Sequence, residues 1–210
     1  MTVICRDWRM AEITEGRLRF RFPAGWDAVK FDETPWYRQA MQSRSKAMDI
    51  LAMQGQSHWW IEVKDCMGFE ADNMPRLAPG DPVEVDLARS EVKNRHWDKV
   101  VSVSRKKAFI VDEVAEKLEG TLLCLMAAQR AGAAQADAHA VQGMAGVVLP
   151  VADWCVVLVL CWDTRDFKRL AMRLRDKLVK RLAAYHVRCF VLNEGEATPM
   201  QPWTSFRMPS

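Results

Sequence analysis

The sequence is poor in the patterns that indicate structural metal sites or disulfide scaffolds. Its six cysteines form no C-x-x-C pair, and several lie inside apolar runs, as Cys155 and Cys161 do. Its four histidines lack the spacing of zinc ligands. A zinc site or a disulfide framework is therefore not expected, and the cysteines are expected to be buried free thiols in a reducing compartment.

Long apolar runs are also absent from the sequence. The longest, Trp154 to Trp162, is far shorter than the roughly 18 residues that span a bilayer, and its composition indicates a buried strand. The first residues, MTVICRD, do not have the layout of a signal peptide. These two features predict a cytoplasmic protein without membrane association.

The overall composition is that of a globular protein. Of the 210 residues, 50% are apolar and 27% are charged, and the net charge of +3 is too small to indicate a nucleic-acid partner by itself. We expect one domain over residues 1–193 and an irregular C-terminal tail over residues 194–210. Trp203 would be hard to bury in such a tail and therefore indicates a contact with a protein partner or a second copy in a homodimer.

Hydrophobic periodicity predicts strands first and alternating helices and strands afterwards. The predicted strands are 17–22, 47–53, 58–65, one within 147–162, and 187–193, and the predicted helices are 35–41, 104–130 and 165–185. The proline-containing stretch from residue 68 to residue 90 is predicted to be a long irregular connection. This order predicts an α/β fold with a mixed central sheet and flanking helices.

Asp49 and Glu62 are predicted to face each other across a hairpin. The turn residues 54–57 allow a loop of two or of four residues, and both loops give one register, whereas three or five residues would break it. In that register Asp49 lies opposite Glu62, and Ala47 lies opposite Lys64, which shares a strand face with Glu62. Two opposed carboxylates among apolar neighbours need a positive partner. Lys64 alone would supply it in a structural ion pair, and a divalent cation would supply it better.

A pair of carboxylates with space for water suits Mg²⁺ or Mn²⁺. A cation held by Asp49 and Glu62 would polarise a phosphodiester and lower the pKa of a bound water. Lys64 would orient that water or stabilise the charge that develops on the phosphate. The pattern favours a metal-dependent phosphodiesterase site, and a buried structural cluster of Asp, Glu and Lys is the alternative interpretation.

The stretch KAMDILAMQGQSHWWIEVKD resembles the motif of the PD-(D/E)XK, or restriction-endonuclease-like, nuclease superfamily. In that motif an Asp on one strand is followed by a short turn and a Glu-x-Lys strand. The resemblance implies a restriction-endonuclease-like core, Mg²⁺ bound by Asp49 and Glu62, and nucleic-acid hydrolysis assisted by Lys64, with DNA favoured over RNA. Met48 stands where a proline gives the family its name. Members often carry one further acidic residue upstream, and the candidates here are Asp32, Glu33, Glu12 and Glu15.

Some members of the superfamily have lost activity and remain as binding modules. The alternative function is therefore a catalytically inactive protein of this fold that binds nucleic acid or a protein partner, as a subunit or an inhibitor. The presence of Asp49, Glu62 and Lys64 together argues for retained activity.

Nucleic-acid contacts are predicted on two helices. Lys117 lies on the helix after the Glu-x-Lys strand, which often faces the active site in the superfamily, and Lys117 is a candidate phosphate contact. The helix over residues 165–185 carries eight Lys or Arg residues and two acids beside an apolar stripe. Arg173 and Lys177 on its basic side are candidates for binding the phosphate backbone. An ordinary solvated surface is the alternative for both helices.

Overall fold

The structure, a computed structural model, describes residues 10–132, 139–148, 153–163, 165 and 167–209. The strands in this part of the chain are β1 (Ala11–Glu15), β2 (Leu18–Phe22), β3 (Asp27–Lys30), β4 (Ile50–Gln54), β5 (Ser57–Asp65), β6 (Asp153–Cys161), β7 (Arg188–Leu192) and β8 (Thr204–Arg207). The α-helices are α1 (Glu70–Asn73), α2 (Val83–Asn94), α3 (Ile110–Ala131), α4 (His139–Val148) and α5 (Phe167–Arg181). The predicted mixed α/β class is confirmed.

The central sheet joins an antiparallel half to a parallel half. Its strand order is β3-β4-β5-β6-β7, in which β3, β4 and β5 pair antiparallel and β5, β6 and β7 pair parallel. Helix α3 lies in the connection from β5 to β6, and α5 lies in that from β6 to β7, because parallel neighbours need long crossovers. The apolar run of β6 is buried from Cys155 to Cys161, as the sequence predicts for a central strand.

The two faces of the central sheet are covered differently. On one face, Leu51 and Trp60 belong to a core shared with α3 and α5. On the other face, Ile61 belongs to a core shared with the small sheet, whose strand order is β1-β2-β8. Because residues i and i+2 of a strand share a face, Glu62 and Lys64 follow Trp60 onto the helix-covered face. The candidate site therefore lies between the central sheet and its helices.

The segment between β5 and α3 departs most from the prediction. Residues 68–90 were expected to be irregular, but they contain α1, a 3₁₀ helix over Met74–Leu77, and the start of α2. The prolines explain the error, because Pro75 lies in the first turn of the 3₁₀ helix and Pro82 directly precedes α2. A proline is tolerated there since the first turn of a helix leaves its N–H groups unpaired. The predicted helix over 104–130 begins only at Ile110.

Residues 204–207 form β8 of the small sheet, so the prediction of an irregular tail over residues 194–210 is wrong for this part of the segment. Strand β8 pairs antiparallel with β2, with Arg207 opposite Leu18. Trp203 is 2% exposed, and its ring centroid lies 5.4 Å from that of Phe20. The inner face of the small sheet is apolar and needs a cover, which the indole provides. Trp203 is therefore a core residue, and its predicted contact with a partner or second copy is wrong.

The cysteines of the described chain are buried and free, as the sequence predicts. They are Cys66, Cys124, Cys155, Cys161 and Cys189, and Cys5 lies outside the described residues. Burial raises the pKa of each of these five thiols, which keeps them protonated. None of the helices in the described ranges is long and apolar enough to cross a membrane.

Candidate active site

The hairpin of β4 and β5 places Asp49 opposite Glu62. The strand pairs run from Gln54 with Ser57 to Ile50 with Ile61. The turn is the two-residue loop Gly55-Gln56, and Gly55 has the positive φ of 58° that such tight turns favour. Asp49 directly precedes β4, and its Oδ2 accepts the backbone N–H of Val63 at 2.7 Å. The predicted register is confirmed.

Asp49 and Glu62 both lie beneath α3 and are almost completely buried. Glu62 is 0% exposed and Asp49 is 5% exposed. The helix comes this close because Gly120 has no side chain: a Cβ at that position would overlap the carbonyl oxygen of Lys46. Helix α3 therefore rests directly on the chain segment that leads into Asp49.

Lys117 of α3 bonds to both buried carboxylates. Its Nζ lies 2.9 Å from Oδ1 of Asp49 and 2.8 Å from the Glu62 carboxylate. Thr121, one turn further along α3, holds the helix in place: its hydroxyl accepts the N–H of Met48 at 2.9 Å and donates to the carbonyl of Lys117 at 2.8 Å. Lys117 was predicted as a phosphate contact, but the structure places its ammonium between the two carboxylates.

Lys64 continues the same set of ion pairs toward the surface. Its Nζ lies 2.7 Å from Glu62 and 2.7 Å from Glu113 of α3. Arg76, from the 3₁₀ helix after α1, pairs with the other oxygen of Glu113. The resulting charge network has three acidic and three basic side chains. Its members are Asp49, Lys117, Glu62, Lys64, Glu113 and Arg76. Burial makes such compensation necessary, because an unpaired charge there would be costly.

The charge network shifts the pKa values of its members. Burial, reinforced by the negative charge of Asp49, raises the pKa of Glu62 to about 7, and the nearby lysines offset only part of this rise. Burial alone would lower the pKa of Lys117, but the carboxylates of Glu62 and Asp49 outweigh it and raise that pKa. The pKa of Lys64 is raised in the same way, chiefly by Glu62. Both lysines therefore remain positively charged at neutral pH.

Asp32 is the upstream acidic candidate whose pKa is affected by the charge of Asp49. Burial, followed by the negative charge of Asp49, raises the pKa of Asp32 to about 6. Its Oδ1 is buried and has no hydrogen-bond partner among the described residues. The other three candidates are engaged elsewhere: Glu33 and Glu15 pair with Lys30, and Glu12 pairs with Arg21.

The described residues contain no group of three or more His, Cys, Asp or Glu side chains arranged to hold a metal ion. Asp49 and Glu62 form a pair, and the ammonium of Lys117 lies where a cation shared by the pair would lie. Carboxylate oxygens are the ligands that Mg²⁺ and Mn²⁺ prefer. The donor set therefore fits a hard divalent cation in chemical type, provided that Lys117 yields its position.

The basic helix α5 does not contribute to the charge network. Its predicted apolar stripe is confirmed, since Leu170, Leu174 and Leu178 are buried. Arg173 is exposed, and the ammonium of Lys177 lies 5.8 Å from the ring centroid of Phe109. The basic side of α5 is therefore a surface feature separate from the carboxylate pair.

Two members of the charge network were not found from the sequence. Glu113 had a usable signal, because Glu113, Lys117 and Thr121 recur every fourth residue along a helix whose other buried positions are apolar. Arg76 had no such signal, because it follows a proline in a segment whose sequence predicts irregular structure. Only the fold of that segment brings it to Glu113.

Comparison with family models, with curated proteins and with solved structures found no match to this chain.

Proposed function

We propose that the chain is a metal-dependent nuclease that hydrolyses phosphodiester bonds, with DNA the favoured substrate. The observation that carries the proposal is the pair of opposed carboxylates, Asp49 and Glu62, which together hold one positive charge while Lys64 lies 2.7 Å from Glu62. The resemblance of this stretch to the PD-(D/E)XK motif supports the same assignment. A restriction-endonuclease-like core is part of the proposal.

Asp49 and Glu62 would hold the Mg²⁺ or Mn²⁺ ion, with Asp32 as the candidate further acid. When bound there, the ion would supply Lewis-acid activation of the phosphodiester and a water of lowered pKa. Lys64 orients that water or stabilises the charge that develops on the phosphate. Glu113 and Arg76 act as positioning residues, because Glu113 accepts from Lys64 and is itself held by Arg76.

One observation favours a second candidate function. Lys117 pairs with both carboxylates, and the three bases of the charge network match its three acids without a metal ion. A protein of this kind would keep the Asp/Glu/Lys cluster for stability and bind nucleic acid or a protein partner without cleaving it. The two functions differ in whether a divalent cation displaces the Lys117 ammonium.

The test is a cleavage assay on purified protein with plasmid and linear DNA, in Mg²⁺, in Mn²⁺ and in EDTA. We expect cleavage that requires the metal and that falls at least about a hundredfold in Glu62→Gln and in Lys64→Ala, since each removes a group that acts on the transition state. The matched control is Glu116→Gln, which removes a carboxylate on the exposed side of α3. We expect the control to cleave as the wild type does.

Thermal melts of each variant separate lost chemistry from lost folding. A folded Glu62→Gln protein that still cleaves at the wild-type rate would contradict the assigned role. Absence of both cleavage and calorimetric binding of Mn²⁺ in the wild type would sink the nuclease proposal and leave the binding module.

A further inference from the structure

A second basic feature lies beside the candidate active site, in the connection from α2 to α3. Residues 93–107, here called the basic segment, contain six Lys or Arg residues and one acid. The basic residues are Lys93, Arg95, Lys99, Arg105, Lys106 and Lys107. The excess of basic over acidic residues in this short segment is larger than that of the whole chain, whose net charge is +3. A local positive stripe is typical of a surface that contacts a phosphate backbone.

Three cations of the basic segment are exposed and have no ion pair among the described residues: Lys93, Lys99 and Lys106. By contrast, exposed bases on other parts of the surface are often neutralised, as Arg21 is by Glu12 and Arg181 by Asp112. Lysines without a protein counter-charge can pair with the phosphates of a nucleic acid and release the cations condensed on it.

An exposed aromatic ring lies among these cations. Trp97 is 49% exposed, and the guanidinium of Arg95 lies 5.2 Å from its ring centroid. It follows directly on His96, whose φ of 59° turns the chain at the end of α2. A large flat side chain at a turn, bordered by cations, is the arrangement on which unpaired bases stack.

The basic segment is joined to the charge network through backbone contacts. Arg105 donates to the carbonyls of Pro75 and Ala78, and Lys107 donates to the carbonyl of Asp72. These carbonyls flank Arg76, which pairs with Glu113 at the outer end of the network. A cleft of about 550 Å³ lies at this junction and is lined in part by residues 105–107. The basic segment therefore contacts the 3₁₀ helix that carries Arg76, the outermost member of the charge network.

We propose that the basic segment is the binding surface for a single strand of nucleic acid, with Trp97 as its stacking platform and the cleft leading the strand toward Lys64. The inference rests on the proposed nuclease function for its direction toward the site, but the binding itself requires no catalysis. A single strand fits better than a duplex because the bases of a duplex are already stacked on each other and leave Trp97 without a partner.

The test is fluorescence anisotropy in EDTA, so that cleavage does not enter, with a labelled 20-nucleotide DNA strand, its duplex and the RNA strand of the same sequence. We expect Trp97→Leu to weaken binding of the single strand about tenfold, with Trp97→Tyr restoring most of it, since stacking needs a ring. The double variant Lys99→Glu/Lys106→Glu should weaken binding at least tenfold. It should also lower the slope of log affinity against log salt by roughly 1.4.

Two control variants change the same number of charges elsewhere. Arg44→Glu/Arg130→Glu reverses two exposed arginines that have no ion pair among the described residues, and Arg173→Glu/Lys177→Glu reverses the predicted contacts on α5. We expect the first control to bind as the wild type does. Weaker binding by the α5 variant alone, with the basic segment without effect, would move the interface to α5 and overturn the inference.

The remaining outcomes are also decisive. Tighter binding of the duplex, together with wild-type binding by Trp97→Leu, would overturn the single-strand assignment. Equal losses of affinity in the Arg44/Arg130 control would mean that binding reflects non-specific electrostatic attraction, and this would overturn the inference. Binding on the basic segment without metal-dependent cleavage would uphold this inference and contradict the nuclease proposal. Metal-dependent cleavage to which the basic segment contributes nothing would uphold the nuclease proposal and contradict this inference. A preference for the RNA probe or for the DNA probe identifies the natural strand.

Discussion

At the scale of single residues, Lys117 bonds to both carboxylates of the hairpin and has only 15% of its side chain exposed. The buried negative charges of Asp49 and Glu62 are compensated by this ammonium and by the ammonium of Lys64. Removing one partner of a buried ion pair leaves its partners uncompensated, which is more destabilising than removing an exposed pair. Replacing Lys117 therefore distinguishes a structural role of the carboxylate pair from a metal-binding role.

The Lys117→Met variant tests that division. Without metal we expect a loss of about 3 kcal/mol in the free energy of unfolding, because two buried carboxylates lose their shared cation. Addition of Mn²⁺ should then raise the thermal midpoint of Lys117→Met by more than that of the wild type, since the ion no longer competes with an ammonium. The measurement is a thermal melt of both proteins with Mn²⁺ and with EDTA.

The Lys46→Met variant is the control for Lys117→Met. Lys46 pairs with Glu116 on the outer side of α3, where both side chains are more than half exposed, so its loss should cost less than about 1 kcal/mol. It should not alter the response to Mn²⁺. A Lys117→Met protein that gains nothing from Mn²⁺ would show that the carboxylate pair does not bind the metal.

The residues of the site were predictable where sequence spacing alone fixes geometry. Glu62 and Lys64 are two apart on a strand, and the short turn sets Asp49 opposite Glu62, so all three follow from period and loop length. Glu113 and Arg76 depend on how α3 and the 3₁₀ helix pack on the sheet. That packing involves contacts between residues far apart in the chain, which no local pattern encodes.

At the scale of elements, the position of α3 decides the geometry of the site. Gly120 allows the helix to rest on the backbone of Lys46, and this places Lys117 against Asp49 and Glu62. The start of α3 could not be located from the sequence, because residues 104–108 (SRKKA) contain no glycine or proline that would mark a boundary before Ile110. Burial of Phe109 and Ile110 against the core is what fixes the first turn.

The Gly120→Ala variant tests this close approach. We expect a loss of about 1–3 kcal/mol in the free energy of unfolding, because the added methyl group overlaps the carbonyl of Lys46 and pushes α3 outward. That loss exceeds the roughly 0.5–1 kcal/mol that alanine otherwise gains over glycine in a helix. Urea denaturation measures the difference.

The Gly146→Ala variant is the matched helical control for Gly120→Ala. Outside the backbone of α4 itself, no atom of the described residues lies within 4 Å of the position that a Cβ would take at Gly146, so this change should be neutral or stabilising. Equal behaviour of the two variants would mean that α3 tolerates a side chain at its contact with Lys46. The inference that the geometry of the site depends on that contact would then be wrong.

At the scale of the whole molecule, the described chain forms three layers, with the small sheet, the central sheet and the helices packed in that order. Strands β4 to β7 of the central sheet were predictable because they are apolar and periodic, whereas its edge strand β3 was not predicted. In the small sheet only β2 was predicted, because β1 and β8 are short and β8 comes from the opposite end of the chain. Strand β8 is only four residues long, and its pairing with β2 is a contact across almost the whole sequence.

The small sheet is tied to the same strand that carries Glu62 and Lys64. Arg207 of β8 donates two hydrogen bonds to Asp65, at 3.0 and 3.1 Å, where β5 ends. Burial opposes the charge on Asp65, but the bonds from Arg207 and Arg17 outweigh it and lower the pKa of that carboxyl. The C-terminal strand therefore holds the end of β5 from the face opposite to the charge network.

The Trp203→Ala variant tests whether the C-terminal segment is part of the folded unit. Trp203 packs beside Phe20 and Trp59 in the core between the two sheets, so its truncation should cost about 3–5 kcal/mol in the free energy of unfolding. Trp97→Ala, which removes an indole that is 49% exposed, is the control and should stay within about 0.5 kcal/mol of the wild type. Urea denaturation of both variants gives the comparison. If Trp203→Ala were as stable as Trp97→Ala, β8 would contribute nothing to the core, and residues 194–210 would behave as a dispensable tail after all.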